Sequence, residues 1–87
     1  MYTRHLPSMY DIARLSIRVR QYPVTRSELV RIARQWNYSE DVIMFLRQYE
    51  PDELFMTRAD LVTRCSVLAE KIRHNWEQPT KELHNKA

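Results

Sequence analysis

The chain predicts an all-α fold: a compact bundle of about four short helices followed by a polar C-terminal tail. Three observations carry that reading. Apolar residues recur every three or four positions in four separate stretches. A Ser or Thr opens each stretch with an acidic residue in the first turn, where it can cap the helix and meet its dipole. Pro23, Pro51 and Pro79 close three of the four, because the residue before proline avoids helical geometry.

The first helix is expected over Ser8 to Gln21, with Met9, Ile12, Leu15 and Val19 on its stripe and Asp11 completing a Ser-x-x-Asp capping box. Residues 15–20 also alternate apolar and polar as a strand would; helix is preferred because a lone strand has no evident partner. The second helix starts at the capping box Thr25-Arg26-Ser27-Glu28 and carries Leu29, Ile32, Ala33 and Trp36, with Val30 widening the stripe. Asn37 stands where glycine usually ends a helix in the left-handed region. Ser39 caps the third helix, whose stripe is Val42, Phe45, Leu46 and Tyr49. The fourth begins at Thr57, with Asp60 in its box, and runs through Leu61, Cys65, Leu68, Ile72 and Trp76. One helical domain therefore spans residues 1–79, and a flexible tail is expected at 80–87. Leu29, Ala33, Leu46, Leu61, Cys65 and Leu68 are the expected core.

Composition narrows the function. With 87 residues the chain builds a small core and little beyond it. Glycine is absent, so Gly-rich phosphate loops and dinucleotide fingerprints are excluded. No apolar run reaches the roughly 18 residues of a membrane span, and residues 1–10 lack the apolar core of a signal peptide. With a single cysteine, these features place the chain in the cytoplasm, away from membranes. His5, His74 and His84 do not pair with each other or with Cys65 at metal-ligand spacing. Cys65 lies on an apolar stripe and reads as a small buried hydrophobe. Glu50, Asp52 and Glu53 lack the ordered spacing of a calcium loop. No catalytic, metal or cofactor residue is expected, and the chain reads as a non-enzyme.

The run Tyr22-Pro23-Val24-Thr25-Arg26-Ser27-Glu28-Leu29, followed by Ala33, resembles a small bacterial helical domain of unknown function. That family reads Tyr-Pro-x-Thr/Ser-Lys/Arg-x-Glu-Leu, then a Val-x-x-x-Leu matched by Val42 and Leu46, and a Pro-Asp pair matched by Pro51-Asp52. Phe55 fits its aromatic position, and Thr57-Arg58-Ala59-Asp60-Leu61 its last element. The match covers residues 17–68 at most. Trp36-Asn37-Tyr38 departs from the family's glycine, and the fourth helix runs on. The resemblance implies a bacterial helical domain and brings no catalytic residues.

Charge supplies the remaining clue. Eleven of the fourteen bases are arginine, and residues 1–38 carry a balance of +5 against −4 over residues 39–60. Arginine forks onto carboxylate or phosphate, and Trp, Tyr and Arg are the enriched anchors of interfaces. Arg14, Arg18, Arg31 and Arg34, with Trp36 and Tyr38, are thus the candidate contact residues, and Tyr2, Met9 and Tyr10 form a second candidate patch. Apolar residues on more than one helix face add to this, as at Val42, Ile43 and Met44. The function expected is protein interaction, with self-association into a homodimer included. The alternative is nucleic-acid binding by the first two helices, since the pI is near 9.3. Against it, Glu40 and Asp41 open the next helix and would repel a phosphate backbone.

Overall fold

The computed structural model describes residues 6–77; the expected tail and Tyr2 lie outside them. Four helices form as the periodicity predicts: α1 (Met9–Arg18), α2 (Arg26–Gln35), α3 (Glu40–Leu46) and α4 (Arg58–Glu77). Each starts at its expected cap. The Asp11, Glu28 and Asp60 amides donate to Ser8 Oγ, Thr25 Oγ1 and Thr57 Oγ1 at 3.0–3.1 Å. Val42 N–H reaches Ser39 Oγ at 3.5 Å. At the far end of α2, Asn37 takes φ 59°, in the left-handed region. Tyr38 N–H then bonds the Ala33 carbonyl and Asn37 N–H the Arg34 carbonyl, the paired closure that ends a helix sharply.

Two features differ from expectation. First, α1 ends at Arg18 rather than Gln21, because Val19 is already extended (φ −75°, ψ 122°). The Tyr22 hydroxyl folds back and donates to the Ser16 carbonyl at 2.7 Å, satisfying one of the acceptors a helix end leaves open. Second, the fold adds a two-stranded antiparallel ribbon, β1 (Val24–Thr25) with β2 (Leu54–Phe55), pairing Val24 with Phe55 and Thr25 with Leu54. It leads on one side into α2 and on the other, after the Thr57 cap, into α4. The Pro51 and Glu53 carbonyls accept from Ser27 N–H and Arg26 N–H at 3.1 and 2.9 Å. With Thr25, the loop before β2 thereby satisfies three of the four open amides of α2.

The core lies where α1 packs on α4 and α2 on α3. Ile12, Leu15, Leu29, Leu46, Leu61, Cys65 and Phe55 are wholly buried, with Ala33 among them. Of the expected core, only Leu68 sits at the edge, packed against it and half-buried. Tyr49 meets Phe55 edge-on, with centroids 5.1 Å apart at 89°. Trp36 leaves the stripe assigned to it and is 51% exposed. Its backbone (φ −99°, ψ 12°) is already turning out of the helix, so its ring no longer follows the face of Leu29 and Ala33.

Leu61→Ala is expected to lower stability by roughly 2–5 kcal/mol through the cavity it leaves. Thr25→Ala is expected to cost about 0.5–2 kcal/mol by removing the α2 cap. Both are read from urea denaturation midpoints at constant slope.

Candidate functional site

The end of α1, the connection through residues 19–23 and the flank of α2 border a cleft of about 570 Å³. Its polar wall is Arg18, Arg20, Arg31 and Gln35, and Pro23 and Trp36 give it apolar shoulders. Trp36 is held here by the sharp end of α2, and Arg18 by the last turn of α1. The Arg18 guanidinium stacks on the Trp36 ring, 3.8 Å from its centroid. Such a cation over an indole is worth about 0.5–2 kcal/mol.

The same two side chains border a second depression of about 180 Å³, completed by Asp11, Arg14, Tyr38 and Ser39. Beside it, the Arg14 guanidinium stands 5.7 Å over the Tyr10 ring. Tyr10 is 70% exposed and Ile17 65%. Spaced at helical intervals, Tyr10, Arg14 and Ile17 form an outward stripe on α1. Arg18 Nε and the Tyr38 hydroxyl are buried and have no hydrogen-bond partner among the described residues. An unpaired buried donor is costly, so both groups are points of local destabilisation at this junction.

The six residues singled out from the sequence are therefore divided. Arg14, Arg18, Trp36 and Tyr38 meet at the α1–α2 junction. Arg31 stands across the larger cleft and pairs with Glu28, one turn away. Their shared hydrogen bond, first among the causes, holds the Glu28 carboxyl below its usual range and raises the Arg31 guanidinium. Arg34 does not join them; it lines a different depression with Glu40 and Arg47, between α2 and α3.

Arg20 and Arg64 were not distinguished by the sequence. Arg20 enters the cleft only because α1 stops early, a point the periodicity does not give. Arg64 pairs with Glu53 and Asp60, donates to the Leu54 carbonyl at 2.7 Å and lies 4.5 Å over Phe55. The Asp60–Arg64 spacing of four is the signal that would have found it.

Among the described residues no three His, Cys, Asp or Glu side chains come together as metal ligands. Glu53 is engaged by Arg64. Glu50 and Asp52 point to solvent, so the acidic trio does not form one site. Cys65 is buried, and burial pushes its thiol up to about 11, partly offset by the Tyr49 hydroxyl and Arg64. Tyr49 is itself raised, mainly by burial. Among the described residues no helix is long and apolar enough to cross a membrane.

No protein-family model matches the chain, and neither curated proteins nor solved structures give a match.

The Cys65 thiol gives a pH signature. Its acid form is favoured in the folded chain, so this stabilisation is complete below the unfolded value near 9.0 and is lost as pH rises through about 11. Between about pH 8 and about pH 11 the denaturation midpoint should fall further for the natural chain than for Cys65→Ala. Equal falls would remove Cys65 as the source.

Proposed function

We propose that the protein is a non-enzymatic protein-interaction module that holds an acidic segment of its partner in the Arg18–Trp36 cleft. The observation carrying this reading is the half-exposed Trp36 under the Arg18 guanidinium, with Arg20 and Arg31 on the same cleft. An aromatic shoulder beside forked donors is the composition of an interface anchor. The cleft's size suits a few side chains rather than an extended polymer. Three arginines against Glu28 leave it positive, which favours an anionic partner segment. The reducing cytoplasm fits the one buried thiol.

The nucleic-acid alternative draws on one observation, that an exposed indole flanked by arginine can stack a base. The distribution of cations weighs against it. Arg31, Arg64 and Arg73 are each matched by a carboxylate, and Arg34 shares its depression with Glu40. A phosphate backbone favours a continuous run of unmatched cations.

Fluorescence anisotropy separates the two, using a labelled Glu/Asp-rich peptide, a Lys-rich peptide of equal length and a generic single-stranded DNA. The acidic peptide should bind, and Trp36→Ala should weaken it about tenfold or more, as expected when an anchor is truncated. DNA binding that falls steeply with salt, with no peptide binding, would establish the alternative instead.

A further inference from the structure

We infer that the occupant of the cleft is the Glu50–Met56 segment of a second copy of this chain, so that the protein forms a two-fold homodimer. This inference rests on the interaction reading above and names its partner.

The charges are complementary. Glu28, Glu53, Asp60 and Glu70 are each matched by an arginine within the chain. Glu50 and Asp52 make no ion pair among the described residues and are exposed at the turn before β2. The cleft, in turn, presents Arg18 and Arg20 without a carboxylate partner among the described residues.

The apolar parts match as well. Phe55 points inward and is fully buried, so strand alternation turns Leu54 and Met56 outward, 47% and 55% exposed. The segment therefore offers two carboxylates followed by two exposed apolar side chains. The cleft offers guanidinium groups beside Trp36 and Pro23.

Position excludes the chain's own loop and favours a second copy. Pro51 O is held by both Ser27 N–H and Ser27 Oγ, and Glu53 O by Arg26 N–H. Arg64 grips Glu53 from α4. Pinned by these bonds to one flank of the first turn of α2, the loop cannot cross to the cleft on the other, which Thr25 and Glu28 line. In a two-fold pair each copy's acidic loop meets the other copy's basic cleft, so the same contact is made twice.

Sedimentation velocity on the full chain, from low to high micromolar at low salt, tests this with a charge exchange. Arg20 and Asp52 make no hydrogen bond or ion pair among the described residues, so reversing either should leave the far-UV circular dichroism unchanged. The natural chain should dimerise, more weakly as salt screens the exposed pairs. Arg20→Glu alone and Asp52→Arg alone should each weaken the dimer about tenfold or more, since each sets like charges together at both contacts. Mixing the two chains restores opposite charges at both contacts and should restore dimerisation, as should the double exchange in one chain. A natural chain that stays monomeric throughout overturns the inference, as does a dimer indifferent to both reversals. The acidic-peptide titration then judges the cleft by itself: retained binding leaves the interaction reading standing, and lost binding removes both.

Discussion

Val24 lying opposite Phe55 is the contact on which the rest of the architecture depends. Two residues on each side make only a minimal ribbon, and such a ribbon alone would not persist in water. It persists because Phe55 is plugged into the core, met edge-on by Tyr49 and covered by Arg64. In return, the pairing brings the starts of α2 and α4 side by side, although more than thirty residues separate Thr25 from Thr57. It also lays the Pro51 and Glu53 carbonyls over the open amides of α2. A short strand here does the work of a cap, a core plug and a spacer.

The cleft follows from the same constraint. Once Val24 is committed to the ribbon, the chain must leave α1 early, turning extended at Val19 and bending through residues 21–23, with Tyr22 folded back on Ser16. That detour opens a gap between α1 and α2, walled by Arg18, Arg20 and Pro23 on one side and Arg31 on the other. The left-handed Asn37 then stops α2 abruptly and leaves Trp36 at the gap's edge. Arg18 meets the indole there because its planar, weakly hydrated guanidinium gains from an aromatic face what an ammonium would lose in hydration.

Sequence reasoning reached what is decided locally. Ser8, Thr25, Ser39 and Thr57 announce their helices because a cap is a bond between residues three apart. Asn37 was legible for the same reason, and Leu29, Leu46, Leu61 and Cys65 because periodicity reports the buried face. The ribbon was not legible, since two-residue strands carry no alternation and pair across the chain. Trp36 was misplaced because the stripe was extended one residue past the helix, to where the backbone had already turned. Arg14, Arg18, Trp36 and Tyr38, grouped by composition, border one depression, whereas separating Arg34 from Arg31 requires the placement of α3.

The likeness of Thr25-Arg-Ser-Glu-Leu-Val to Thr57-Arg-Ala-Asp-Leu-Val acquires a physical meaning from the ribbon. Both segments carry a chain out of a strand, through a Thr cap and into a helix whose first apolar residue is wholly buried, Leu29 in one and Leu61 in the other. Antiparallel pairing sets each helix start beside the segment that precedes the opposite strand. For α2 that segment is the acidic loop, and its carbonyls fill the open amides. For α4 it is the stretch around Tyr22, close enough for Arg58 to act on a phenol that burial holds up. There the Thr57 and Asp60 side chains supply the local bonds, Asp60 accepting from Met56 N–H at 2.9 Å. Self-sufficient at its own cap, α4 makes no demand on the backbone of the 19–23 connection. That connection keeps Val19 in the core and Tyr22 on α1 while its exposed Arg20 and Pro23 wall a cleft, and its counterpart before β2 is bound down with its carboxylates outward. One ribbon thus generates both a basic recess and an acidic projection.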